Sequence, residues 1–397
     1  MNRNFLIPFF FFLIISCRQM DERSINADTV IPINHENINK EDIEHASKYV
    51  EEIQYVPLET NETNIIGDVT KVVFSQKHIY IYDRQTNNLY QFDREGNYIR
   101  KIATMGSGPM EYMRIVSFSV DPETEHIAIY CEIKQSIIEF TSEGLPVAEE
   151  KIGFVTTDFI HYNDSYLFYG GRMPNETIFK STYPEQYRLA VMDKNNVKEK
   201  YLPFQYNACL LNTPIASDKN CLYPYNGATR LIEKCTGIIY EVNDTISPVY
   251  AIDFGRYTIP VDFYANSVNM NDEKIQKIEN GNYCCLSSLF ETEDYLYIYY
   301  SVFHYDRLIC SCIYSKKDNK SINIGPLWIN DIDNIAMPDM VSTYNNCFIG
   351  YYQASELDMM LSTNKNPLSP KMEEMSKTIK DSDNPIICIV KLRTEAS

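Results

Sequence analysis

The sequence predicts an all-β fold: a six-bladed β-propeller, closed by an N-terminal strand and carrying short helical insertions. Three observations point there. Short strands bounded by Asx and Gly turns recur along the chain in groups of four. The aromatic residues are 31 tyrosines and 19 phenylalanines against one tryptophan, a balance that suits pleated sheet. The last group lacks a strand, and an orphan strand stands upstream of the first, as a ring that must close requires.

The first group is the most regular. Val69–Ser75, His78–Asp83, Leu89–Asp93 and Tyr98–Ile102 are turned by Asn87-Asn88 and by Glu95-Gly96-Asn97. The second runs Ile115–Val120, His126–Cys131, Ser136–Phe140 and Pro146–Ile152. The third has Asp158–Tyr162, Ser165–Gly170, Tyr187–Asp193 and Val197–Phe204, with a polar insertion at Gly171–Gln186. The fourth reads as Thr213–Ala216, Cys221–Tyr225, Gly237–Val242 and Ser247–Phe254. The fifth is Cys285–Glu291, Tyr295–Val302, Leu308–Tyr314 and Ser321–Ile329. The sixth has only Met340–Tyr344, Cys347–Tyr352 and Pro385–Leu392, and Val50–Leu58 is the strand that completes it. Asn271–Ile278 and Pro370–Ile379 have helical spacing and N-terminal cap residues, and packing against the rim is expected of both.

The N-terminus reads as a secretion signal. Arg3 precedes the apolar run Phe5–Ile15, too short for a membrane span of about 20 residues. The run ends in Ile14-Ile15-Ser16-Cys17, which resembles a bacterial lipobox, so Cys17 is expected to carry the lipid. The domains are then a signal peptide over 1–16, a lipid-anchored tether over 17–48 and the propeller over 49–397. Arg18-Gln19-Met20-Asp21-Glu22 resembles the acidic export signal of surface lipoproteins, and both faces of the outer membrane stay open.

A net charge of −18 excludes a phosphate-backbone reader, so no nucleic-acid partner is expected. Ten cysteines remain after Cys17, without zinc spacing and mostly inside apolar runs; buried free thiols are the reading. Gly106-Ser107-Gly108-Pro109 lacks the ending of a phosphate loop, and Pro109 removes a donor. Gly106, Gly108, Pro109 and Glu111 instead read as a sharp structural crossing between blades, with Glu111 anchoring the loop. No nucleophile elbow and no His-Glu-x-x-His pair occurs, so no catalytic residue, metal ligand or cofactor is assigned. His78 and His126 begin corresponding strands, which places both on one rim. The strand-end aspartates Asp83, Asp93, Asp121 and Asp193 read as turn formers, and the tyrosines at 295, 297, 299, 300, 351 and 352 as packing between blades.

Several segments resemble one family, the six-bladed β-propeller lipoproteins of Bacteroides-type bacteria, similar in fold to NHL and TolB-like propellers. They are Tyr55-Val56-Pro57-Leu58-Glu59-Thr60, Ile66-Gly67, Ile79-Tyr80-Ile81-Tyr82-Asp83, Tyr90–Gly96 and Gly106-Ser107-Gly108-Pro109-Met110-Glu111-Tyr112. Ile252–Gly255, Asp331-Ile332-Asp333-Asn334 and Asp383-Asn384-Pro385-Ile386 follow. The resemblance spans roughly 50–393 and implies a fold and a cell-envelope address, without an activity. The expected function is a lipid-anchored binding or scaffold module for a protein or glycan partner, held at the membrane by its lipid. The alternative is a metal-assisted hydrolase or lyase at the channel mouth. Specificity is expected in the interruptions of the repeat: Gly171–Gln186, Arg256–Tyr283 and Gln353–Asn384.

Overall fold

A computed structural model describes residues 30–36, 41–175, 185–194, 196–205, 219–234, 236–259, 280, 283–302 and 308–394. Alternating apolar residues build antiparallel sheets in which each strand pairs with the next. The first strands of neighbouring sheets face one another across a common axis. In chain order the sheets begin at Val69–Phe74, Ile115–Val120, Asp158–Tyr162, Leu222–Tyr225, Cys284–Glu291 and Asp339–Tyr344. One apolar cluster fills each junction between neighbours. Phe159 and Phe168 stack at 5.8 Å between the second and third sheets, and Tyr297 lies 5.6 Å from Trp328 beside the last sheet.

The closing strand behaves as the sequence requires. Val50–Pro57 pairs antiparallel with Ile386–Leu392, from Pro57 opposite Ile386 to Val50 opposite Leu392. The first described sheet strands at 69–74, 78–83, 88–93 and 98–102 lie within a residue of their expected bounds.

The number of sheets is seven, so the expected six is corrected. Five sheets have four strands, one has five, and the seventh has three: Ile43–His45, Leu327–Asn330 and Ile335–Ala336. The segment read as one strand, Ser321–Ile329, breaks at Gly325, whose φ of +80° no β-branched residue would adopt at low cost. Lys320–Gly325 stays in the fifth sheet, and Leu327–Asn330 leaves to found the small one between the fifth sheet and the last.

Two further corrections concern the N-terminal and fourth-sheet readings. Residues 30–33 and 43–48, expected to be tether, are built into the body. Val30–Pro32 adds a parallel fifth strand to the fourth sheet, and Ile31 is fully buried. Ile43–His45 pairs in parallel with Leu327–Ile329. In the fourth sheet, Leu222–Tyr225 and Ala228–Glu233 form a hairpin around Asn226 and Gly227, both at positive φ (49° and 78°), the signature of a type I′ turn. Ala228–Glu233 was missing from the sequence reading; Thr213–Ala216 lies outside the described residues. So do Asn271–Ile278, Cys17, Cys209, Cys235 and His304. The second expected helix is present as Pro370–Met375, capped by Ser369 Oγ, which accepts from Met372 N (3.3 Å). A longer one, Ala354–Thr363, precedes it.

This strand order gives the ring two unlike ends. On the turn face the connections are short, for example 75–77, 94–97, 226–227 and 345–346. Among the described residues the longer connections leave from the loop face, at 58–68, 103–114, 170–175, 254–259 and 353–385. Among the described residues no helix is long and apolar enough to cross a membrane.

Candidate binding faces

At the loop face the axis is bridged by a polar hub. Asp158, fully buried at the start of the third sheet, accepts from five donors. Ser117 Oγ (2.7 Å), Lys71 Nζ (3.2 Å) and its neighbour Phe159 N (3.0 Å) share Oδ1, while Cys221 N (2.8 Å) and Leu222 N (2.9 Å) share Oδ2. These residues come from the first four sheets. Asn220 reaches across to donate to Thr70 O (3.0 Å). A carboxylate so fully engaged, with Lys71 as its counter-charge, has no lone pair left for substrate or metal. Among the described residues no three His, Cys, Asp or Glu side chains converge to hold a metal ion.

The crossing from the first sheet to the second holds the glycine motif. Glu111 Oε2 accepts from Gly108 N (2.8 Å), and a Cβ on Gly106 would lie 2.1 Å from the same oxygen. Lys134 Nζ donates to Gly108 O (2.8 Å) and pairs with Glu149 (2.9 Å), which also accepts from Met110 N (2.8 Å). Tyr112 is fully buried beneath the loop. The backbone groups of this loop are spent on its own scaffold, and a phosphate would find few of them free.

His78 and His126 both stand on the turn-face rim, and His78 Nδ1 lies 2.8 Å from Oε2 of Glu125, the residue before His126. His126 and His161 line a groove of about 200 Å³ between the second and third sheets on the turn face, with Asp121, Glu139, Asp164 and Tyr166. Burial pulls the His161 imidazole down to about 4, and Asp121 offsets this only in part. Its Nδ1 lies 2.8 Å from Ser119 Oγ. Tyr166 donates to Glu139 (2.6 Å). The turn aspartates cap backbone: Asp83 accepts from the N–H groups of residues 67, 68 and 85, and Asp93 from those of 95 and 97.

The tyrosine stripe packs between sheets: Tyr297 and Tyr300 are buried, and Tyr299 Oη accepts from Met340 N (2.8 Å). Cys131, Cys310, Cys312, Cys347 and Cys388 are free thiols, all buried but Cys347; Cys221, Cys284 and Cys285 are buried too, and burial pushes Cys284 and Cys312 up to about 12. Large exposed apolar side chains stand on both faces, Leu145 and Val147 at the turn face and a larger set at the loop face. Ile65, Met105 (58% exposed), Met113 and Ile133 (58%) lie along the first two sheets, and Met359 on the helix of 354–363. Asn87 ties this rim together, donating to Met113 O (3.1 Å) and Met105 Sδ (3.7 Å). Among the described residues no Phe, Tyr or Trp is exposed.

The profile of a domain of unknown function, DUF4934, matches residues 28–391. The chain belongs to the DUF4934 family. A crystal structure of a Bacteroides fragilis protein classed as exported superposes with a TM-score of 0.74 at 18% identity, covering 92% of this chain and 100% of that one. A DUF4221 member from Bacteroides vulgatus gives 0.50 at 10% identity, covering 87% and 97%. At such identities the likeness shows the fold alone. No curated protein matches the chain.

In this DUF4934 chain the recurrent motifs turn out to be joints. Buried Asn384 accepts from Ile66 N (2.8 Å) and donates to Glu59 O (2.8 Å) and Asn64 O (2.9 Å), pinning the return from the last sheet to the first. Asp333 accepts from Tyr55 (2.5 Å), Asn330 (3.0 Å) and Ser369 (2.5 Å), fastening the small sheet to the closing strand and to the helix of 370–375. Sequence reasoning missed Lys71, Ser117, Asp158 and Glu291, because each takes partners from other sheets and no short motif contains them.

Proposed function

We propose that this chain is an exported, lipid-anchored propeller that serves as a binding or scaffold module and receives a protein partner on its loop face. The observation that carries this is the row Ile65, Met105, Met113 and Ile133: exposed aliphatic and thioether side chains on the face that bears the long connections. Methionine surfaces adapt to apolar partners. Glycans stack on exposed aromatic rings, and the described surface offers none. Export is supported by Phe5–Ile15 with Cys17, and by the similar Bacteroides fragilis protein classed as exported.

The test is a photo-crosslinking amino acid at Met113 or Ile133, with Leu145 on the turn face as control, in cells that make the protein. Discrete protein adducts from the first two positions and none from the third are expected. Adducts from neither, or equally from both faces, would count against the reading.

A further inference from the structure

The turn-face groove between the second and third sheets has a lining that points to a ligand. The turns at 121–126 and 163–164 form its lips, and Glu139 and Tyr166 stand on the strands behind them. It holds about 200 Å³, and past Glu139 and Tyr166 it continues into a second hollow of about 140 Å³. Ile127, Ile137 and Ile152, all buried, give the two hollows an apolar floor. The rings of His161 and Tyr166, 4.9 Å apart, make one wall. Several donors of the lining are spent inside the protein. Tyr166 Oη donates to Glu139 Oε1 (2.6 Å) and Thr124 Oγ1 to Asp121 Oδ1 (2.9 Å). Lys198 Nζ donates to Ser165 Oγ (2.7 Å), and Lys194 pairs with Glu150 (3.4 Å). What is left over is acceptor. Glu139 Oε2, Asp121 Oδ2 and the Asp164 carboxylate have no hydrogen-bond or ion-pair partner among the described residues.

We propose that this groove binds a primary alkylammonium ion, its charge met by Glu139, Asp121 and Asp164 and its methylene chain laid over the isoleucines. An ammonium group brings three donors and no acceptor, the complement of what the lining leaves unpaired. Charge agrees: Asp121, Glu139, Glu150, Asp164 and Asp193 border the two hollows, against Lys194 and the nearby Lys198. His161 adds no positive charge near neutral pH, because burial holds its imidazole down at about 4. Tyr166 sets an aromatic ring beside the same carboxylates, a further attraction for a cation. An anion would meet like charge at every side. A bare calcium ion needs about six oxygen ligands at once, and among the described residues no three acidic or histidine side chains converge. The size is that of a short chain, below the roughly 300–1,000 Å³ usual for drug-sized ligands. Two sources carry this chemistry, a free aliphatic diamine and the lysine side chain of a peptide. Neither depends on the loop-face partner.

The experiment titrates the full chain by calorimetry with putrescine, with Nα-acetyl-lysine amide and, as an uncharged control, with the diol analogue of putrescine. Binding of an amine and none of the diol is expected, and the tighter amine names the source. Glu139→Gln keeps an acceptor for Tyr166 and removes the charge, so binding should weaken about tenfold. Asp164→Asn, at an exposed position where folding is not at stake, should weaken it about threefold. Glu293→Gln, an exposed carboxylate of the same face that lines neither hollow, should leave it unchanged. No binding of either amine, equal binding of the diol, or equal weakening by Glu293→Gln would overturn the proposal. Calcium chloride binding more tightly than both amines, and lost in Glu139→Gln, would overturn it in favour of a metal.

Discussion

Two fully buried carboxylates hold this ring, in different ways. Asp158 sits at the loop face and is satisfied by groups from four sheets, three of them backbone N–H groups counting its own neighbour. Glu291 sits at the turn face and serves one junction. It accepts from Tyr223 (2.8 Å), Arg230 (3.2 Å), Tyr250 (3.3 Å) and Lys316 (2.7 Å), all on the fourth and fifth sheets; Arg230 also pairs with Glu241. The difference teaches where the ring is vulnerable. Losing Asp158 strands donors on several sheets at once. Losing Glu291 strands cations that keep other acceptors, since Lys316 also donates to Thr292 O (2.7 Å) and Tyr225 (2.8 Å).

The contrast sets an order of effects. Asp158→Ala should cost the most, about 3–5 kcal/mol by denaturant unfolding, because it leaves three buried N–H groups without their acceptor and the Lys71 charge without its carboxylate, with Ser117 Oγ (3.0 Å) still accepting from Lys71. Glu291→Gln keeps an acceptor for Tyr223 and removes only the charge, so about 2–3 kcal/mol is expected. A loss from Glu291→Gln as large as that from Asp158→Ala would erase the distinction. Acid sharpens it from another side. His161 has its folded pKa lowered from 6.5 to about 4, so the unfolded chain binds the proton more readily. Its contribution is complete above pH 6.5 and is lost as pH falls toward 4, by at most about 3 kcal/mol. His161→Gln should flatten unfolding free energy across that window. Smallest is Gly108→Ala. Its Cβ would come within 2.9 Å of Glu111 Oε2, displacing one anchor for about 1 kcal/mol. The melting temperature should fall while crosslinking at Ile133 persists.

How much of this was legible follows from how local each signal is. The first sheet was readable because its turns fall on Asn87 and Gly96, which tolerate positive φ, and its strands alternate cleanly. The Asn226-Gly227 hairpin carries an equally strong signal, yet the sequence reading sets Cys221–Tyr225 between Thr213–Ala216 and Gly237–Val242 and leaves out its true partner, Ala228–Glu233. The small sheet has strands of two to four residues drawn from positions 43, 327 and 335, and no window contains their pairing. The hubs were invisible for the same reason: Asp158 meets residues 41 and 87 positions away in the chain. The exposed row was hidden differently. Met105, Met113 and Ile133 look like core residues in the sequence, and only the fold tells which way they face.

The closing sheet also has a bearing on timing. Its outer strand, Val50–Pro57, is synthesised long before its partner, Ile386–Leu392. No shorter length of chain can seal the ring, so a nascent molecule keeps an open, unpaired edge until Ile386–Leu392 has been made. Pairing of such long sequence separation is slow, and under the export proposed above the chain would remain loose for its passage through a translocation channel.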